Sequence, residues 1–454
     1  MNVAVLGAGV TGLTAAWRLS KAGHKVRLLE AGPRVGGAVS TDLADGWLVE
    51  AGPTSLVEGN PQTGAFIGEL GLGPERIESS PVAKHRYIAK NGKLVALPEP
   101  KDAASLVSTP LLSFGSKLRV SSEVTKGPRA RTEDASVADF VRDHFGSEVL
   151  ERVVQPFIGG IYAGDAERLS ARLAFPKIWE AEKTTGSLIR AGMESAKKRR
   201  ALGLDGSPAI VSFRRGLQAL TDALAAQLPQ GSVTLGAEVR SLGPGPKSRW
   251  LVAWDGRKGP ESGMFDCVVS ALPAWSLARM EIGGPGRRPL SGLGAIEYPP
   301  VASVFLGFRR DRVAHPLDGF GALVPASEKR SVLGVIFSSS LFAGRAPPGH
   351  VALTAFAGGA LQPEIARLPD TELIGRVCAD LEALVGAQGR PAFARHTLWP
   401  RAIPQYNLGY GAHLDAMEAC ERAHPGLLIG GNVRDGISLP DCIASGTSLA
   451  KRVS

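Results

Sequence analysis

Three glycines near the start of the chain have the spacing that dinucleotide phosphates require. Gly7-Ala8-Gly9-Val10-Thr11-Gly12 reads G-x-G-x-x-G. The apolar run Asn2 to Leu6 before it suits a buried parallel strand, and Leu13, Ala16 and Leu19 after it recur at helical spacing until Gly23. In such a turn the first glycine allows the tight bend, the second lets backbone approach a pyrophosphate, and the third lets helix pack on strand. Unpaired amides at the helix start then meet the phosphates. A second strand over Lys25 to Leu29 ends at Glu30, eighteen positions beyond Gly12. A carboxylate there accepts hydrogen bonds from ribose hydroxyls and disfavours a 2′-phosphate. The spacing predicts a βαβ unit that holds an adenine dinucleotide without that phosphate.

Further segments carry a resemblance. Ala31-Gly32-Pro33-Arg34-Val35-Gly36-Gly37 resembles the R-x-G-G extension of flavoproteins related to amine oxidases and carotene desaturases. Glu50-Ala51-Gly52-Pro53-Thr54-Ser55 is similar to their E-x-G-P segment, which lies beside the flavin. Gly426 to Ile429 reads as a strand entering Gly430-Gly431-Asn432, and Leu439, Cys442, Ile443, Gly446, Leu449 and Ala450 then fit a helix. Gly436-Ile437-Ser438-Leu439 brings the amino end of that helix toward the cofactor, where it can stabilise negative charge on a reduced flavin. This stretch resembles the C-terminal flavin motif of the same superfamily.

The resemblance implies FAD, bound non-covalently. It places Gly7 to Gly12, Glu30, Ala31, Arg34, Gly36 and Gly37 on the cofactor, with Gly52, Pro53, Thr54 and Ser55 beside it. It adds Val239, after a strand at Ser232 to Leu235, together with Trp399, Gly431, Asn432, Gly436, Ile437, Ser438 and Leu439. Both chain ends build one site, so the fold class expected is α/β: a discontinuous Rossmann-type, glutathione reductase-like FAD domain, a mixed-sheet substrate domain and a helical insert. The boundaries expected are 1–85, 208–272 and 411–454 for the FAD domain, 86–99 and 273–410 for the substrate domain, and 100–207 for the insert.

The middle of the chain narrows the family. Phe157-Ile158-Gly159-Gly160-Ile161-Tyr162-Ala163-Gly164-Asp165, with Leu169-Ser170 and Phe175-Pro176, resembles a signature of the protoporphyrinogen oxidase family. Ile403-Pro404-Gln405-Tyr406-Asn407-Leu408-Gly409-Tyr410 is similar to its I-P-Q-Y-x-x-G-H segment, with Tyr410 in place of histidine, which weakens any role for that position. Asp318 to Pro325 and Val332 to Ile336 extend the match. The implied reaction is oxidation of protoporphyrinogen IX to protoporphyrin IX, with oxygen reoxidising FAD to give hydrogen peroxide. The resemblance makes Arg86 the receiver of a substrate propionate, and Phe320, Leu323, Ile336 and Phe356 the apolar clamp on the macrocycle. It sets Gly160, named as the catalytic position, close to the reacting carbon and the flavin. Asn432 stands where many flavoproteins have an acid. Coproporphyrinogen is the alternative substrate; an amine oxidase, a carotenoid desaturase or a porphyrin carrier are more distant ones.

Composition sets the outer bounds. A chain of 454 residues with 44% hydrophobic and 21% charged residues folds into two or three domains. The net charge of +9 favours anionic partners, but aromatics at 6% show no interleaving with the basic residues, so nucleic acid is not expected. Four scattered cysteines give no metal or dithiol motif and suit a reducing compartment. No apolar run is long enough to span a bilayer. Basic residues beside the apolar helices of the insert point to an anionic membrane surface. The expected setting is cytoplasmic and peripheral on the cytoplasmic membrane, and the family suggests a homodimer.

Overall fold

The computed structural model describes residues 1–59, 61–98, 108–201 and 208–453. Five strands form an all-parallel sheet in the order Val233–Leu235, Lys25–Glu30, Asn2–Leu6, Cys267–Ser270 and Leu427–Ile429. Its strands come from both ends of the chain, so this layer closes only once everything between has been folded out of the way. Val3, Ala4, Val5 and Leu6 are all fully buried because both faces of the sheet are covered. One face carries the helix Val10–Lys21 against the C-terminal helix Leu439–Val453. Those two helices touch through Gly446, where a Cβ would run into the Thr11 carbonyl oxygen. The other face is covered by an antiparallel layer of Glu238–Pro244, Trp250–Gly256 and Gly259–Phe265. Glu281–Ile282 pairs with Ser241 and Leu242 in that layer. The layer therefore includes a two-residue strand that carries too little pattern to be read from sequence.

The second sheet has seven strands in the order Phe393–Trp399, Val301–Arg309, His350–Gly358, Val332–Ile336, Gly319–Leu323, His85–Lys90 and Lys93–Ala96. Only the pairing of Gly319–Leu323 with His85–Lys90 is parallel. Alternate side chains point to opposite faces. Ala302, Val304, Leu306, Val335 and Ala355 pack against Leu373, Val377 and Leu381 of the helix Asp370–Val385. Arg86 pairs with Gly321, Gly321 with Ile336, Leu323 with Gly334, and Gly334 with Phe356. Arg86, Leu323, Ile336 and Phe356 thus share the face opposite that helix.

The described part of the insert is helical: Phe114–Ser122, Val137–Phe145, Gln155–Tyr162, Pro176–Thr184 and Leu188–Ala201. Its expected limits, at 99–100 and 207, lie outside the described residues on the insert side. The helix Pro176–Thr184 ends before Leu188–Ala201 begins. Gly186 has φ +80° there, and a Cβ on it would collide with the Gly127 backbone. A buried polar set locks these helices. His144 places Nδ1 2.8 Å from Glu123 Oε1 and Nε2 3.2 Å from Glu182 Oε1, while Glu123 also accepts the Leu188 and Ile189 amides. Replacing His144 by phenylalanine removes one hydrogen-bonding partner from each of two buried carboxylates, a loss of about 1–3 kcal/mol. Hydrogen exchange at Leu188 and Ile189 should speed up by at least tenfold; unchanged protection would show that the pair is not holding the helix.

Candidate active site

Each glycine of the first motif has its own reason to lack a side chain. Gly7 has φ +92°, and a Cβ on it would lie 3.1 Å from the Ala271 carbonyl oxygen. On Gly12 a Cβ would overlap the Gly7 carbonyl oxygen, so the helix can rest on the turn only without one. Gly9 is different: a Cβ there meets nothing within 4 Å. It faces open space at the amino end of Val10–Lys21, a helix that has no side-chain cap. A cradle of this shape, bounded by free amides and the positive end of a helix dipole, fits a phosphate group.

The second glycine loop abuts the first. Gly36 donates to the Ala8 carbonyl at 2.8 Å, and a Cβ on Gly37 would stand 3.2 Å from Gly9 Cα. Arg34 gives its guanidinium to the Val35, Gly37 and Val39 carbonyls, so it ties this loop together. Ala31 lies between that loop and Glu30. Glu30 accepts the Ala8 amide on one carboxylate oxygen and the Gly32 amide on the other, both at 2.7 Å. The Glu30 carbonyl accepts from Ala237, two residues before Val239. Gly52 is pressed on the same loop, since a Cβ on it would run into the Ala38 carbonyl oxygen. Trp399 closes this side by donating from Nε1 to the Ala51 carbonyl at 2.8 Å, beside Pro53, Thr54 and Ser55.

The carboxyl end completes the cofactor side. Gly430 donates to the Ser270 carbonyl, and the Gly431 amide, at φ +98°, donates to Asp435 and Ser445. Ser438 and Asp441 exchange hydrogen bonds as a capping pair at the start of the last helix, next to Gly436, Ile437 and Leu439. Tyr406 donates to the Asn432 carbonyl at 2.6 Å and accepts the Gly436 amide at 3.0 Å; Tyr410 donates to the Val433 carbonyl at 2.7 Å. The Tyr410 hydroxyl thus ties the Ile403 to Tyr410 segment to the backbone of the carboxyl-end loop. Sequence reasoning also missed Asp435 and Asp441; the S-x-x-D spacing of Ser438 and Asp441 was the available signal.

Across from this cradle stands the shared face of the seven-stranded sheet. Gly160, on the helix Gln155–Tyr162, meets it at Leu323, whose Cδ2 lies 2.6 Å from where a Gly160 Cβ would be. The Arg86 guanidinium carbon is 6.0 Å from the Phe320 ring centroid. Arg86 is exposed and pairs with no acid among the described residues. Ile336 and Phe356 continue the wall and are half-buried.

Glu50, at the head of the E-x-G-P segment, was assigned no role from sequence. It is 4% exposed and accepts the Leu217 amide at 2.8 Å and the Thr41 hydroxyl at 2.7 Å. Burial pushes its carboxyl up from 4.5 to about 7, opposed by those hydrogen bonds and by Arg345. The folded state therefore binds the proton more tightly than the unfolded chain does. The stability this gives is full below 4.5 and is lost as pH rises through about 7. Relative to a Glu50→Gln variant, the wild type should lose about 3 kcal/mol between pH 4.5 and pH 8. Thermal melts of both proteins across that range check this; a constant difference would refute it.

A dinucleotide fold closed by the chain's own carboxyl end, with a second glycine loop and an apolar wall opposite, is the build of a flavin-dependent oxidoreductase. Comparison with known proteins gives the family: the chain belongs to the flavin-containing amine oxidoreductases, whose family model matches residues 10–454. Among its relatives, protoporphyrinogen oxidase 2 (chloroplastic/mitochondrial) of Arabidopsis thaliana is 33% identical, with 100% of this chain and 93% of that protein covered. Coproporphyrinogen III oxidase of Bacillus subtilis (strain 168) is 28% identical, covering 98% of this chain and 96% of its own. A crystal structure from Exiguobacterium sp. 255-15, provisionally named a protoporphyrinogen oxidase, superposes with a TM-score of 0.83 at 24% identity, covering 100% of this chain and 98% of that one.

Proposed function

We propose that the protein oxidises protoporphyrinogen IX to protoporphyrin IX in porphyrin and haem biosynthesis, using non-covalently held FAD, with dioxygen as acceptor and hydrogen peroxide as product. The observation that carries this reading is Arg86, an exposed guanidinium with no acid partner among the described residues, on an apolar wall that faces Gly160. A porphyrinogen is a broad apolar ring with carboxylates along one edge. Phe320, Leu323, Ile336 and Phe356 match the ring, and the guanidinium fork matches a propionate. The name of the Arabidopsis relative agrees with this substrate.

FAD, when bound, supplies the hydride acceptor. The amides at Gly9 to Gly12 would hold its pyrophosphate, Glu30 its ribose, and the start of the helix Leu439–Val453 would favour negative charge at the ring. The wall orients the macrocycle and keeps water from the reacting carbon. On the insert, Phe114 and Leu118 are 83% and 63% exposed at i and i+4 beside Lys117 and Arg119. That apolar ridge with flanking positive charge supports docking on an anionic membrane surface. No helix of the described residues is long and apolar enough to cross a membrane.

The test is an anaerobic titration of the purified yellow protein with protoporphyrinogen IX and, separately, coproporphyrinogen III, followed by admission of oxygen. Bleaching of the flavin with appearance of porphyrin fluorescence, then recovery with peroxide, is the expected result, with kcat/KM at least tenfold higher for protoporphyrinogen. A reversed preference would make coproporphyrinogen the substrate. A flavin that stays oxidised with both would overturn the porphyrinogen reading.

A further inference from the structure

Each two-electron oxidation of a porphyrinogen releases a proton as well as a hydride, and the wall just described holds no base to receive it. A candidate lies beside it. An enclosed cavity of ≈ 10 Å³ is lined by Glu50, Thr54, Ile336, Ser338, Arg345 and Thr354, with apolar neighbours. A space of roughly 10–15 Å³ holds one water. Thr54 belongs to the loop assigned to the flavin and Ile336 to the substrate wall, so the cavity adjoins both.

Two buried, opposite charges face this space without touching. Arg345 is 2% exposed and gives Nη2 to Ser212 Oγ at 2.8 Å and to the Phe213 carbonyl at 3.1 Å. Each Glu50 carboxylate oxygen accepts one hydrogen bond, from the Thr41 hydroxyl or the Leu217 amide, which leaves a lone pair on each for a water. Ser338 Oγ and Thr354 Oγ1, 2.8 Å apart, complete a set of groups able to hold a water between them. Arg345 is the charged group that faces Glu50; Thr41, Leu217, Ser338 and Thr354 are neutral.

We propose that Glu50 is the internal proton acceptor of this site, reached from the substrate face through one water in the cavity. The proposal rests on the porphyrinogen reading above. As the C–H bond of a bridging carbon breaks, its electron pair leaves with the hydrogen as hydride. The pyrrole N–H bond breaks with its pair staying on nitrogen to form the new C=N bond, and the proton passes through the water to a Glu50 oxygen. Hydride and proton together then reduce one dioxygen to one hydrogen peroxide, which returns Glu50 to its anion. A carboxyl that titrates near 7 is matched to this exchange at neutral pH.

Two measurements on the flavin-loaded protein test it. Infrared difference spectra of the resting enzyme, titrated from pH 5 to pH 9, should show a neutral-carboxyl band that fades with a midpoint near 7 and is missing in Glu50→Gln. Anaerobic rapid mixing with protoporphyrinogen should show wild-type flavin reduction speeding up as pH rises through the same midpoint. Glu50→Gln should reduce about 100-fold more slowly with that limb flattened. Thr354→Val, which keeps the shape, should slow reduction about tenfold while retaining the infrared band. A missing band in the wild type, or a Glu50→Gln enzyme with wild-type rate and pH limb, would overturn the proposal alone. Wild-type flavin left oxidised by porphyrinogen would overturn the substrate reading, and the proposal with it, whatever the band shows.

Discussion

Gly9→Ala should yield a folded protein that has lost its flavin. A methyl group at Gly9 touches no protein atom within 4 Å, so the fold has no steric reason to object. The change costs about 1 kcal/mol as a poorer helix cap, which is small against the core of the five-stranded sheet. What the methyl does occupy is the space where backbone must approach a pyrophosphate, and a phosphate pushed off helix amides loses charge-assisted hydrogen bonds worth about 1.5–3 kcal/mol each. Loss of two such bonds weakens flavin binding at least 100-fold. The control is Gly12→Ala, whose Cβ would overlap the Gly7 carbonyl oxygen and force helix from strand. That variant should fail at folding. Flavin absorbance per chain and the melting temperature of the flavin-free protein separate the two outcomes. A Gly9→Ala protein that purifies fully yellow would show that the cradle has been misread.

Removing the guanidinium at Arg86 should raise KM for the porphyrinogen by about 10–100-fold while kcat changes less than about threefold. The split follows from position. Arg86 sits on the strand His85–Lys90, over the Phe320 ring, on a different segment from Gly160 and the cradle glycines. Flavin content should stay intact. Arg86→Lys should recover only part of the affinity, since a point charge replaces a two-pronged donor. The interaction is exposed, so raising salt should weaken wild-type binding and leave Arg86→Ala nearly unaffected. An unchanged KM in Arg86→Ala would take this residue out of substrate binding.

Membership of the flavin-containing amine oxidoreductases was legible at the chain ends because phosphate binding is a local problem. Six residues from Gly7 to Gly12 and one acid at Glu30 are close in sequence, and backbone geometry over such a span is set by which side chains are missing. The strands Asn2–Leu6 and Lys25–Glu30 and the helix Leu439–Val453 lie where hydrophobic periodicity puts them. Less could be read where order depends on partners far along the chain. The break at Gly186 exists because Gly127 passes beneath it, and His144 is buried because Glu123 and Glu182 arrive on either side.

By itself, the sequence determined the first βαβ unit, the discontinuity of the domain built on it and the family, since motif spacing records local backbone requirements directly. Only the tertiary structure decided which residues share a wall and what environment each one meets. Arg86, Leu323 and Ile336 come from separate strands that register puts together, and the helix Gln155–Tyr162 brings Gly160 onto Leu323. Tyr410 gains its partner from Val433, and Glu50 its raised pKa from burial, which outweighs the opposing Thr41, Leu217 and Arg345. Register, burial and electrostatic surroundings are sums over contacts distant in the chain, and no local spacing encodes them.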